Sequence, residues 1–206
     1  GKTTLAAILA HERGVPVSSF LATSITSDRD IDSLFSDVSL QGYTEKGEIV
    51  DPFQTKPMVI FIDEIHRLKS KITETLHTAL EDFKVSLCLP HPETGTKGTY
   101  QYWIPRFTMI GATNYLGDIP KPFLDRFPIK LNFEHYGYEE MIRIVSFSAS
   151  SLDDVEFSEE ALEMIALRSR GTPRIANSIL LACRDAYVAI DQFEIVNANC
   201  VDYVLK

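Results

Sequence analysis

The sequence predicts an α/β domain built on a parallel sheet, followed by a small all-α domain. Two observations carry this. Strand-length apolar runs alternate with helical periodicity through residues 1–134, and over 135–206 helical periodicity continues with no strand between. The run Met58-Val59-Ile60-Phe61-Ile62, followed by Asp63-Glu64, has the character of a strand buried on both faces, as in a parallel sheet covered by helices.

Taken in order, residues 2–13 read as a helix with Leu5, Ile8 and Leu9 on its apolar face and Gly14 as its stop. Residues 15–22 have the β-branched and aromatic content of a strand. Residues 30–38 place Ile31, Leu34 and Phe35 at helical spacing. The stretch 41–57 mixes Gly, Pro and charge without a period and reads as a loop or insertion. After the 58–62 strand comes a helix over 70–83 with Ile72, Leu76, Ala79, Leu80 and Phe83 on one face. Two strand-like arms in 84–104, around a turn-rich 90–98, signal a hairpin. Residues 107–112 and 129–133 read as two further strands. The second domain is expected to hold helices at 139–150, 158–170, 173–190 and 195–205. Ser158 is placed as a cap and Pro173 in a first turn.

The chain has 206 residues, a net charge of −9 and 45% hydrophobic residues, ordinary for a globular protein. An acidic chain is a poor general binder of the nucleic-acid backbone, whose grip depends on Lys and Arg. Any DNA would therefore be held mainly by other regions. Three separated cysteines, Cys88, Cys183 and Cys200, show no metal-ligand spacing and suit a reducing cytoplasm as small buried hydrophobes. The chain opens on Gly1-Lys2-Thr3-Thr4 with no methionine, and reads as a piece whose preceding strand is missing.

Gly1-Lys2-Thr3 at a helix start is the tail of the phosphate-binding pattern G-x-x-x-x-G-K-[ST]. Backbone N–H groups from Gly1 to Thr4 and the helix dipole would hold phosphates, with Lys2 reaching the β and γ groups. Thr3 would offer its hydroxyl to Mg²⁺. The bland alternative is an ordinary helix start. A buried strand ending in Asp63-Glu64 adds a carboxylate for the Mg²⁺ shell and a second to activate water, at the sheet edge where parallel sheets bind ligands. The alternative is two solvated carboxylates.

Four segments then resemble the RuvB branch of the AAA+ P-loop ATPases, in the family's order. They are Phe61-Ile62-Asp63-Glu64-Ile65-His66-Arg67-Leu68 (Walker B), Gly111-Ala112-Thr113-Asn114 (sensor 1), Phe123-Leu124-Asp125-Arg126-Phe127 (arginine finger), and the stretch from Arg168 through Gly171-Thr172-Pro173-Arg174 to Asn177 (sensor 2). The resemblance implies a sheet of order 5-1-4-3-2, a helical lid, ATP and Mg²⁺ as ligands, and a ring oligomer, expected as a hexamer. It implies a motor that migrates four-way DNA junctions.

By the same resemblance Asn114 positions the lytic water or senses the γ-phosphate, Arg126 enters a neighbour's nucleotide site, Arg174 reports nucleotide state, and Tyr136 lies against the nucleotide. Glu81, Asp82 and Phe83 match a segment near ATP, and the 84–104 arms match the hairpin that engages a RuvA-like junction-binding protein. Each has an ordinary reading: a turn-forming Asn114, an Arg126–Asp125 surface pair, a solvated Arg174, solvated Glu81 and Asp82 at a helix end, and aromatic residues Tyr100, Tyr102 and Trp103 packed on their own hairpin. His66 reads as structural or supporting. Asn114 stands where the family usually has threonine. It leans toward a clamp-loader or replication-initiation ATPase, while the string ending in Asn177 leans back toward RuvB. A nucleotide-dependent scaffold without turnover is the remaining alternative.

Overall fold

The computed structural model describes residues 1–39, 57–90, 96–104, 106–190 and 195–206, in two compact units, 1–131 and 132–206. The expected loop 41–57 lies outside these residues except for Pro57. The first unit contains α1 (Lys2–Arg13), β1 (Val17–Leu21), α2 (Asp28–Ser39), β2 (Met58–Asp63), α3 (Ser70–Asp82), β3 (Lys84–Pro90), β4 (Lys97–Trp103), β5 (Phe107–Gly111) and the short α4 (Lys121–Leu124). The second contains α5 (Tyr138–Ser150), α6 (Glu159–Arg168), α7 (Pro173–Ile190) and α8 (Ala198–Val204).

Strand β2 is central in a parallel sheet of order β1-β2-β5. This matches the 2-3-4 stretch of the expected order. Its first five residues are buried, so the continuous apolar run does what a two-sided strand requires. Ile60 and Ile62 enter the main core with Leu34, Phe35, Ile72 and Leu76. Phe61 points the other way, as strand alternation demands, and packs on Ala6 and Ala112.

That packing corrects the expected face of α1. Ala6 and Ala10 are buried, whereas Leu5, Ile8 and Leu9 are exposed. Small side chains let the helix lie close over Phe61, and larger ones would hold it off.

Residues 129–133 form no strand among the described residues. Ile129, Leu131 and Phe133 are 78%, 65% and 51% exposed. Alternating apolar residues specify a strand only where a neighbouring strand offers ladder hydrogen bonds, and no described strand pairs with this segment.

The hairpin forms as expected, with Lys84 opposite Trp103, Val85 opposite Tyr102 and Leu87 opposite Tyr100. Trp103 is exposed, and the Lys84 ammonium lies 3.9 Å from its ring centroid, a cation–π contact. Cys88 is also exposed, contrary to expectation, because alternation turns it away from the face that buries Val85 and Leu87. The buried Asp28 anchors the hairpin to two helices. Its Oδ1 accepts from Lys71 Nζ on α3 at 2.6 Å and its Oδ2 from the Cys88 N–H at 2.8 Å. The hydrogen bond from Lys71 holds this carboxyl below its ordinary range, against the opposing effect of burial.

In the second unit, Met141, Val145 and Ala149 on α5 share a core with Ile165, Leu180 and Val201. Ser158 caps α6 as expected, its hydroxyl accepting from Ala161 N. Helix α8 begins later than expected because Asn197 caps it and Val196 pairs with Phe157 in a single parallel bridge. Cys183 and Cys200 are buried here. Burial pushes the Cys183 thiol up to about 12, which leaves it protonated and inert.

Asp28→Ala is expected to destabilise the protein by about 1–3 kcal/mol at neutral pH, since it strands the Cys88 N–H. The folded carboxyl titrates below its unfolded value of about 3.9, so its contribution is present above that pH and is lost as pH falls through the folded value. The gap in thermal unfolding between wild type and variant should therefore begin to narrow as pH falls below about 4. A gap that persists unchanged into acid would show that the carboxylate charge is not the source.

Candidate functional site

The turn after β2 is where the first constellation forms. Asp63 ends the strand and its Oδ1 accepts from the Glu64 N–H at 2.9 Å. Glu64 takes φ 51°, a left-handed conformation costing a non-glycine residue about 1–2 kcal/mol. The conformation is enforced from both sides. Ile65 N donates to Ala112 O and Ala112 N to Ile62 O, each at 2.9 Å, so the turn is stitched to the end of β5. A short 3-10 turn, Ile65–Arg67, follows. The Glu64 carboxylate pairs with Arg67 at 3.2 Å and is part-exposed.

Gly111 permits this close approach. A Cβ there would sit 2.7 Å from Ile65 Cδ1. Beyond it, Thr113 Oγ1 lies 2.9 Å from His66 Nδ1 and accepts from Tyr115 N at 2.9 Å, while the His66 and Tyr115 rings meet edge to face. His66 thus has a supporting place, tying the Asp63-Glu64 turn to the segment that presents Asn114.

Lys2 closes the constellation. Its Nζ donates to Asn114 Oδ1, across 112 residues of sequence. Helix α1 starts at Lys2 with no side-chain cap and no acidic residue in its first turn. Thr3 and Thr4 are exposed there. Open first-turn N–H groups, an ammonium and a strand-end carboxylate suit a phosphate with a divalent cation. The donor set fits, since Thr3 and Asp63 carry oxygen atoms of the kind a divalent cation would need.

A second constellation gathers around Arg126. Helix α4 is anchored by the buried Phe123, whose ring meets Phe127 edge to face at 5.4 Å. Arg126 Nη2 pairs with Glu81 Oε1 at 2.7 Å and its Nε donates to His77 Nε2 at 3.1 Å. The Arg126–Asp125 pair weighed from sequence is replaced by this one, because α3 presents His77 and Glu81 four residues apart on one face. Asp82 is exposed at the end of α3. Phe83, at φ 54°, turns its ring into the core against Phe107 at 6.1 Å. Sequence reasoning passed over His77, although its spacing from Glu81 was a visible signal.

The third constellation lies in the second unit. Tyr136 N donates to Gly171 O at 3.1 Å, and a Cβ on Gly171 would fall 2.6 Å from Tyr136 O. With φ 70° as well, this position needs glycine. Tyr136 is thereby fixed beside the turn that leads, three residues later, into the exposed Arg174 of α7.

Comparison with known proteins follows the same division. Residues 1–133 match the family model described as the Holliday junction DNA helicase RuvB P-loop domain, and residues 136–206 that of the RuvB AAA lid domain. The chain is 35% identical over all 206 residues to the Holliday junction branch migration complex subunit RuvB of Orientia tsutsugamushi, covering 57% of that protein. It is 38% identical over 185 residues to the Campylobacter fetus protein of the same description, covering 90% of this chain and 48% of that one. A lysine-to-arginine mutant of Thermotoga maritima RuvB superposes with a TM-score of 0.79 at 30% identity, over all of this chain and 57% of the other. The chain therefore spans about half the length of the relatives it matches. Both matched models are RuvB's, so the clamp-loader alternative gives way.

Gly111→Ala should destabilise the first unit by about 1–3 kcal/mol through overpacking. Ile65→Val removes the Cδ1 atom in the way, so the double variant should lose less than the sum of the two. Strictly additive losses in thermal unfolding would place the strain somewhere other than this contact.

Proposed function

This chain belongs to the RuvB family of AAA+ P-loop ATPases, and from that premise we propose that it is the ATP-hydrolysing core (1–134) and lid (135–206) of a ring-forming DNA motor. The motor would drive branch migration of Holliday junctions in recombination and repair. The observation that carries the reading is the meeting of Lys2 with Asn114 beside the Asp63-Glu64 turn.

In this reading the N–H groups of Gly1 to Thr4 and the Lys2 ammonium bind the β- and γ-phosphates of ATP. Thr3 and Asp63 hold Mg²⁺, whose charge offsets that of the phosphate oxygens when bound. Glu64 orients or deprotonates the attacking water, and the Asn114 amide, able to donate and accept, fixes its position. Tyr136 and Arg174 contact nucleotide from the lid. The pairing of Glu81 with Arg126 supports placing Glu81 and Asp82 with the finger, toward a neighbouring subunit's nucleotide, whereas the Phe83 ring packs in the core and is withdrawn from that set. A hexameric ring completes each site between subunits. Intact hydrolytic residues favour turnover over a non-hydrolysing scaffold.

The net charge of −9 favours DNA contact through other regions of the full-length protein. The exposed Trp103 with Lys84 favours the 84–104 hairpin as the docking point for a RuvA-like protein. No described helix is long and apolar enough to cross a membrane, and we place the motor in the cytoplasm.

Glu64→Gln in the full-length protein is expected to keep ATP affinity, measured by calorimetry, while turnover nearly vanishes. Turnover within a fewfold of wild type would remove Glu64 from the mechanism. Arg126→Ala should also keep ATP binding while cutting turnover by a factor of about 10³–10⁵. Mixing the two variants lets an intact Glu64 and an intact Arg126 meet at one interface, so partial recovery of ATPase is expected. Loss of ATP binding by Arg126→Ala alone, with assembly intact, would overturn the assignment.

A further inference from the structure

Arg126 carries five N–H donors in a planar fork. Two are engaged within the subunit, Nε–H by His77 Nε2 at 3.1 Å and an Nη2–H by Glu81 Oε1 at 2.7 Å. Both belong to one edge of the guanidinium. The side chain remains 37% exposed. Both partners rise from α3, a 13-residue helix whose Ile72, Leu76 and Ala79 are buried in the main core. Arg126 itself follows α4, which Phe123 pins to that core. The clamp and the clamped residue are therefore each fixed to the same packed layer.

We infer that His77 and Glu81 are positioning residues for Arg126, gripping its Nε/Nη2 edge so that its remaining N–H groups are aimed at an anionic group on a second copy of this chain. The inference rests on the reading of Arg126 as acting across a subunit interface. An unrestrained arginine loses much rotamer freedom when it docks, whereas one held along an edge has already lost it before the partner arrives. A single carboxylate would leave the guanidinium free to swing about that ion pair. The second contact, from a ring nitrogen on the preceding turn, removes the swing.

The contact also fixes a tautomer. A guanidinium is always protonated, so its Nε can only donate. His77 Nε2 therefore accepts, and the ring proton sits on Nδ1, which faces Glu81 Oε2 at 3.7 Å. Glutamine at position 77 can present a carbonyl oxygen near the Nε2 position, whereas alanine and phenylalanine cannot. This separates the hydrogen bond from mere packing.

The test uses full-length protein assembled as its ring, with steady-state ATPase read as separate kcat and KM. Glu81→Gln and His77→Ala should each lower kcat by about tenfold to 10²-fold, the scale set by misplacing a catalytic group by about 1 Å. KM for ATP and ring size by sedimentation should hold. His77→Gln should recover most of the loss, and His77→Phe should not. In an Arg126→Ala background, adding Glu81→Gln should change nothing further, because its effect runs through the missing guanidinium. An undiminished extra loss in that background would overturn the clamp and make Glu81 a direct nucleotide contact. Wild-type kcat in both Glu81→Gln and His77→Ala, with Arg126→Ala inactive, would also overturn the clamp while leaving the finger standing. Full turnover in Arg126→Ala would instead remove the reading of Arg126 itself, and the clamp with it.

Discussion

Burial of β2 on both faces is the constraint from which the first unit's organisation follows. A strand with helices on each side has no polar face, so Met58 to Ile62 can be apolar throughout and only Asp63, at the exit, returns to a polar setting. Ladder pairing with β1 and β5 fixes the height of that exit to within a residue, because a slip of one would turn Ile60 and Ile62 off the main core and Phe61 into it. The position of the carboxylate at the sheet's edge is thus determined by the packing of five hydrophobic residues behind it.

From that fixed exit the supporting contacts run outward in a short chain. Ala112 hydrogen-bonds on both sides to the residues flanking Asp63-Glu64, and Gly111 leaves room for Ile65 to lie down over β5. His66 and Thr113 join the turn to the presenting segment of Asn114, and Lys2 reaches that same amide from the start of α1. Helix α1 is itself seated against Phe61 by the small side chain of Ala6. The left-handed backbone at Glu64 is held where this network over-determines it, the circumstance in which such conformations persist at sites of chemistry.

The three constellations differ in how they are built, and the difference suits the roles proposed for them. Asp63, Glu64 and Asn114 lie at or just beyond the C-terminal ends of β2 and β5, and Lys2 reaches Asn114 from the start of α1. Arg126 follows α4 and draws its partners, His77 and Glu81, from α3. Tyr136 and Arg174 belong to the second unit, where Gly171 binds the chain entering the lid to the turn that starts α7.

Most of the fold was legible because it depends on local pattern. The two-sided run of β2, the i, i+4 spacing of α3, the Ser158 cap and the Pro173 start are signals carried within a few residues. The family was legible for the same reason, through short strings with chemistry at fixed spacing. What sequence alone misassigned depends on partners far along the chain. Residues 129–133 alternate as a strand does, but a strand exists only where another supplies its hydrogen bonds. The apolar face of α1 was misread because close packing on Phe61 selects for small residues, not for the most hydrophobic ones. Cys88 is exposed through the register of its hairpin. Arg126 had a neighbour in Asp125 by sequence, but its ion pair is with Glu81, 45 residues away, and its second contact is with His77. Sequence determined the fold class, the family and the candidate site residues to look for; the packing of α3 against α4, a contact between distant segments, decided which of those candidates hold one another in place.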